Sequence, residues 1–126
     1  MAGNLTDYAE NKILDHVLGT AAYTMPTTYV ALYTVAPTDS SSGTEVTGGS
    51  YARQAASFSV ASGGSTSNSS NIDFTGMPAC TVVAIGITDA LSGGNILIYG
   101  SLSANKSLDA GDTLRITSGD LDISLD

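Results

Sequence analysis

The feature that most constrains the fold is a change in the spacing of apolar residues at Gly19. Before this glycine, apolar residues recur at three- and four-residue steps, which is typical of one face of an amphipathic helix. After it, apolar segments are short, β-branched and separated by clusters of Gly, Ser, Asn and Asp, which favours antiparallel strands. A chain of 126 residues is long enough for one core, so the sequence predicts a single domain over residues 1–126.

The first segment predicts a helix over residues 4–19. Asn4 is a suitable N-cap because its side-chain oxygen can accept a hydrogen bond from a free N–H of the first turn. Asp7 follows in that turn, where the helix dipole favours an acid, and Gly19 can adopt the left-handed conformation that ends a helix. We expect this helix to lie over an open edge or end of the β domain.

The remainder predicts seven strands. In the run 81–87, Val83, Ile85 and Ile87 form one apolar row and Val82 and Ala84 lie in the other. Because neither face is polar, this strand is expected to be central and covered on both sides. Short strands with one helix predict a mainly β fold, an antiparallel two-layer β-sandwich over residues 28–126, with which a jelly roll is compatible. The predicted strands are residues 28–33, 50–60, 71–75, 80–88, 96–102, 113–117 and 121–125.

The connections between strands are of two kinds. Residues 37–49 and 61–70 contain little that could pack, so they predict two long exposed loops. Loops of this length commonly bind partners, although flexible Ser/Gly connections are the alternative. Residues 92–95 and 109–112 predict tight turns, because their Gly and Asn or Asp residues suit the backbone conformations that turns require.

The charge balance narrows the possible partners. Four Lys and Arg stand against twelve Asp and Glu, for a net charge of −8, which disfavours nucleic acids and anionic membrane surfaces. The single Cys80 excludes an intrachain disulfide and favours a small buried thiol. No apolar stretch is long enough to span a membrane, and the charged residues of the first segment argue against a signal peptide.

The sequence offers little catalytic chemistry. His16 is the only histidine, and its neighbour Asp15 points about 100° away from it on a helix, which prevents the orienting bond of a catalytic triad. No Gly-x-Ser-x-Gly motif is present, and the glycine pairs lack the spacing of phosphate-binding loops. Aspartates 109–126 fall short of a calcium-loop pattern. We therefore predict no enzyme activity, cofactor or metal; a cell-wall hydrolase is the alternative, and it would depend on His16.

Five residues are candidates for a protein interface: Glu45, Tyr51, Arg53, Ser65 and Asn68. Arg53 is one of few cations and is predicted to pair with a carboxylate such as Glu45. That pair would close the first loop onto its strand within the subunit or, alternatively, join two subunits. Ser65 and Asn68 belong to the second predicted loop.

Several blocks of the sequence together resemble a family of small tailed-bacteriophage virion proteins, often labelled phage tail-fibre or virion proteins. The resemblance implies a structural part of the particle, assembled in the host cytoplasm, with no catalytic residues. The blocks are YAENKILDHVLG at 8–19, YVALY at 29–33, GTEVTGGSYARQ at 43–54, GITDA at 86–90, GGNILIYG at 93–100 and DAGD at 109–112.

The possible roles in a virion differ in what they require of the chain. A fibre shaft requires repeats or a coiled coil, and the sequence contains neither. A compact acidic domain favours a capsid decoration or cement protein that binds the major capsid protein or another virion protein. Such a protein is expected to form a homotrimer, since valency multiplies weak contacts at a symmetry axis. The contact elements would be the helix or the two long loops. The alternative is a tail- or fibre-associated adsorption protein.

Overall fold

The computed structural model describes residues 4–125. In this range the chain forms one helix, α1 (Asp7–Val17), near its N-terminal end, and strands elsewhere. The strands are β1 (Asn4–Leu5), β2 (Tyr29–Val35), β3 (Thr44–Glu45), β4 (Gln54–Ala55), β5 (Ser65–Ser67), β6 (Ile72–Phe74), β7 (Cys80–Thr88), β8 (Ile96–Leu108), β9 (Leu114–Ile116) and β10 (Asp122–Ser124).

A six-stranded antiparallel sheet forms one layer, in the order β1-β8-β7-β2-β3, with β4 paired to the other end of β2. The central position predicted for β7 is confirmed, since β8 and β2 flank it. Two short antiparallel ribbons, β6–β9 and β5–β10, complete the strand pairing.

The main core joins residues of this sheet to residues of the ribbons. Leu32 and Ile85 of the sheet belong to one buried cluster with Phe74 of β6 and Ile123 of β10. The cluster explains the apolar alternation in the short strands, since each ribbon contributes its apolar face to the core. The predicted class is confirmed: the fold is mainly β, antiparallel and sandwich-like, with one helix near the N-terminal end.

The predicted side-chain rows of β7 are wrong at one end. Val82, Ile85 and Ile87 lie in the main core, whereas Val83 packs against a second cluster that contains Ala84. The cause is a register shift against β8, where residues 102–105 lie opposite Val83 alone. Such a bulge exchanges the two faces of a strand, and sequence alternation does not record it.

The second cluster is small, and its residues are Ala31, Tyr33 and Ala84, all buried. Gly86 completes it, because a Cβ at this position would lie 2.8 Å from Cε2 of Tyr33. A glycine in the middle of a strand commonly marks such a close approach. The Tyr33 ring therefore lies directly over the backbone of β7.

The helix is shorter than predicted. Residues 4–5 form β1, paired with Ile98 and Tyr99 of β8, so Asn4 is not the N-cap. Thr6 takes that role: its hydroxyl accepts a hydrogen bond from the Ala9 N–H at 3.3 Å and donates one to the Ile96 carbonyl at 2.6 Å. Pairing with the sheet thus competes with helix extension. Gly19 has the expected positive φ of 81° after the helix ends.

The region predicted as a strand over 50–60 is mostly irregular, with only Gln54–Ala55 in a ladder and an isolated bridge from Phe58 to Asn68. Conversely, the two predicted loops each contain a short strand, β3 in 37–49 and β5 in 61–70. Strand β8 extends beyond residue 102 to Leu108. The turn predicted at 109–112 is confirmed: the Asp112 N–H donates to the Asp109 carbonyl at 3.1 Å, and Gly111 has a positive φ. The tight turn predicted at 92–95 is instead part of a wider loop between β7 and β8, in which the Asp89 N–H donates to the Asn95 carbonyl at 3.1 Å.

Candidate interaction surfaces

Three of the candidate interface residues form one hydrogen-bonded cluster. The Arg53 guanidinium binds the Glu45 carboxylate through Nε and Nη2, each at 2.9 Å, and the Tyr51 hydroxyl donates to Glu45 Oε2 at 2.6 Å. Glu45 ends β3 and Arg53 directly precedes β4, so the pair joins the two short strands along the edge of β2. The predicted pairing of Arg53 with Glu45 is confirmed within the subunit.

The electrostatics of the cluster stabilise its charged form. Burial works to raise the pKa of the Glu45 carboxyl, but hydrogen bonds from Arg53 and Tyr51 and the charge of Arg53 outweigh it, and this pKa lies below its ordinary value. Burial, and then the bond to Glu45, raise the pKa of the Tyr51 phenol. The ring of Tyr51 stacks on Phe74 at 6.0 Å between centroids. Tyr51 therefore links the ion pair to the main core.

Arg53 also fixes the hairpin between β7 and β8. Its Nη1 donates to the carbonyls of Ala90 and Gly93, both at 2.8 Å. Within the same hairpin the Asp89 carboxylate accepts from the Asn95 N–H at 2.7 Å. The Arg53 side chain is only 10% exposed. Arg53 donates four hydrogen bonds within the subunit. It therefore acts as a clamp that holds β3 and the hairpin in place and so shapes this surface.

Asn68 lies inside the protein. It is 1% exposed, and its Oδ1 accepts from the backbone N–H groups of Gly119 and Leu121 at 3.1 and 2.9 Å. Its Nδ2 donates to the carbonyls of Ser70 and Thr117 at 2.9 and 3.1 Å. Asn68 thus ties β5 to the segment before β10. Of the two interface candidates in this region, Ser65 and Asn68, only Ser65 is exposed to solvent.

A cavity of about 280 Å³ opens beneath the bulge of β8. Its base is apolar, with Leu32, Ile85 and Leu121, and Lys106, Arg115 and Asp120 also line it. Arg115 is engaged by Asp73, with Nε 2.7 Å from Oδ1. Sequence alternation gave no indication of this cavity, since it results from the residues inserted in β8 opposite Val83.

The residues with side chains suited to catalysis or metal binding, such as His16 and Cys80, lie in different parts of the fold. His16 is exposed near the end of α1, and its Nδ1 accepts a hydrogen bond from the Tyr23 N–H at 3.1 Å. Cys80 is half-buried, and desolvation raises the pKa of its thiol. Within residues 4–125, no group of three or more His, Cys, Asp and Glu side chains is arranged to hold a metal ion. In the same range, no helix is long and apolar enough to cross a bilayer.

The last turn of α1 and its C-cap, Leu18, together expose three apolar side chains. Leu14, Val17 and Leu18 are 55%, 71% and 72% exposed, whereas Ala9 at the other end of α1 is buried. The helix is therefore seated by its first turns, with its last turn exposed. We call Leu14, Val17 and Leu18 the α1 patch.

A β-sandwich whose side chains mainly shape surfaces, with an unpaired apolar helix face, is typical of a structural protein that works by binding neighbours. The description of a matching family agrees with this class. The chain belongs to the family described as podophage GP4 fiber I protein gp80, whose model matches residues 4–124. It is therefore a structural protein of the phage virion, as the resemblance implied. A comparison with curated proteins gives no match.

Proposed function

We propose that this chain is a compact subunit of the phage fibre that acts by binding another virion protein. The observation that carries the proposal is the family description, which is that of a podophage fibre protein and covers nearly the whole chain. The fold favours a junction or adaptor within the fibre over a shaft. A shaft requires repeated units that stack along one axis, and residues 4–125 form a non-repetitive sandwich.

The proposed action is assembly without catalysis. Arg53, Glu45 and Tyr51 hold a surface in shape through internal bonds, and the α1 patch supplies exposed apolar area for a neighbour. The net charge of −8 makes nucleic acid and anionic membranes poor partners. The homotrimer expected from the sequence is part of this proposal, and the mass of the purified chain in solution tests it.

A head decoration or cement protein is the second candidate, favoured by the same compact, non-repetitive fold. Imaging of purified particles with a label fused to the chain distinguishes the two roles. Label along the fibres supports the fibre subunit, and label at capsomer junctions supports the cement protein and overturns the fibre proposal. A parallel titration of the purified chain against host envelope material tests whether a fibre role includes adsorption.

A further inference from the structure

The face of α1 that turns away from the sheet carries two kinds of side chain. At its C-terminal end lie the three residues of the α1 patch, each more than half exposed. Leu14 and Leu18 are one helical turn apart, and Val17 lies beside them, so the three form a continuous apolar surface. Exposed apolar area of this kind in a protein that assembles with others marks an interaction site.

The charges around the patch are acidic. Asp7, Glu10 and Asp15 are all exposed on α1, and Asp7 and Glu10 lie on the patch side of the helix, one or two turns before Leu14. The helix has one Lys, and its Nζ lies 5.6 Å from the centroid of the Tyr8 ring, on another face. Residues 19–28, which follow the patch, contain no charged residue. The outward surface of α1 is therefore an apolar patch with an acidic border.

This charge pattern identifies the kind of partner. A second copy of the chain would bring a net charge of −8, and three of its four cations are engaged: Arg53 with Glu45, Arg115 with Asp73 and Lys12 over Tyr8. Two such surfaces would repel each other. A partner with an apolar surface bordered by Lys and Arg would be attracted electrostatically and would bury the patch.

We propose that the α1 patch is the surface by which the chain docks onto a different virion protein, one that presents an apolar area with a basic border. This inference rests on the proposed function for its setting in the particle, and it names the surface and the chemistry of the partner. The strands β1–β10, which we call the β body, would then position α1, since Thr6 anchors the start of the helix to β8.

The test is competitive incorporation into particles. Phage that carry the unchanged gene infect host cells that express a second version of the chain, and the ratio of the two versions in purified particles is measured by mass spectrometry of their distinct peptides. The double variant Leu14→Gln/Leu18→Gln keeps helix propensity nearly unchanged. We expect it to enter particles about tenfold less often than the unchanged chain, since central apolar contacts dominate binding.

The matched control is Val60→Gln/Leu91→Gln, which changes two exposed apolar residues, 94% and 57% exposed, away from α1. It should enter particles as often as the unchanged chain. Equal incorporation of the α1 double variant and this control overturns the docking proposal. So does selective loss of the control, which would place the contact elsewhere. Circular dichroism of each purified variant verifies that it is folded.

A second variant tests the charge of the partner. Glu10→Lys should also lower incorporation, whereas Asp122→Lys, an exposed position on β10, should not.

Sedimentation of the purified chain tests self-association. An oligomer that is lost in Leu14→Gln/Leu18→Gln would mean that a second copy covers the patch, and this result would overturn the choice of partner. Labelled particles distinguish failure of the fibre role from failure of the docking surface. Label on the head with a defective α1 variant would reject the fibre role and retain the docking surface.

Discussion

The β body and the helix α1 differ in which side chains they bury and which they expose. In the β body, polar side chains enter the interior and are satisfied there, as with Asn68 and its four hydrogen bonds to backbone groups. On α1, apolar side chains face solvent, with Val17 71% exposed. The buried side chains of the β body therefore provide most of the stability of the fold. The exposed apolar side chains of α1 bury little surface and add little to it.

The difference indicates a division of labour along the chain. Buried polar groups are costly unless every bond is made, so the Asn68 and Arg53 networks specify one arrangement of the strands. An exposed apolar patch is costly in a different way, because it favours association. A chain that retains both has a rigid body and one surface suited to a partner. Variants in each region test this division.

Asn68→Ala should cause the largest loss of stability. It removes both donors and the acceptor of a side chain that is 1% exposed, and it leaves the Leu121 N–H without its partner. The Gly119 N–H keeps the Asn68 backbone carbonyl at 2.9 Å. We expect the free energy of unfolding to fall by about 3 kcal/mol, measured by urea denaturation. Ser69→Ala, at the exposed neighbouring position, is the control. A loss of less than about 1 kcal/mol would contradict the central role of Asn68.

Gly86→Ala should cost less, about 2 kcal/mol, because the new methyl group overpacks the second cluster. Its Cβ would lie 2.8 Å from the ring of Tyr33, which is buried and has little room to move. Ser101→Ala, on the adjacent strand and exposed, serves as the control. Thermal unfolding measures both. If the two variants melt together, the close approach of Tyr33 to β7 is wrong.

Glu45→Gln should cost about 1.5 kcal/mol near neutral pH, since it removes the charge that Arg53 and Tyr51 stabilise. The folded-state pKa of Glu45 lies below its ordinary value of 4.5. The stabilisation is therefore present above pH 4.5 and is lost as the pH falls through the lower, folded-state pKa. Denaturation at several pH values should show the difference between the two proteins shrinking in acid.

The ion pair of Asp73 with Arg115 provides the comparison for Glu45. Both of its side chains are more exposed than those of Glu45 and Arg53, so Asp73→Asn should lower stability much less than Glu45→Gln does, because solvent screens an exposed pair. An equal loss in the two variants would mean that the clamp of Arg53 on the hairpin adds nothing beyond a surface ion pair.

The same division explains which parts of the fold could be predicted from the sequence. The strand 80–88 was predicted with its correct bounds and its central position, because a continuous apolar run has a clear physical meaning. The turn at Gly111 was predicted from a conformation that glycine adopts at little cost, and Gly93 has the same positive φ inside a wider loop. The Arg53–Glu45 pair was predicted because few cations compete for the carboxylate.

The errors fall where pairing depends on polar residues. Strand β5 is Ser65–Ser67, which has no apolar alternation, so its pairing with β10 left no signal. Asn68 in a Ser-rich segment was predicted at the surface, because sequence does not distinguish a solvated amide from a buried one that is fully bonded. The bulge of β8 shifts register without a marker residue, and both the cavity beneath it and the face of Val82 depend on that shift.

The smallest effect on stability is expected at the α1 patch itself. Leu14→Gln/Leu18→Gln should change the free energy of unfolding by no more than about 0.5 kcal/mol, because both side chains are more than half exposed and glutamine preserves helix propensity. Urea denaturation beside Asn68→Ala measures the contrast directly. A loss near that of Asn68→Ala would show that α1 is part of the body's core. The exposed patch would then be needed for folding, and its effect on assembly could not be assigned to docking. A negligible loss would mean that folding does not require these exposed leucines. Their presence would then be explained by contact with a partner in the particle.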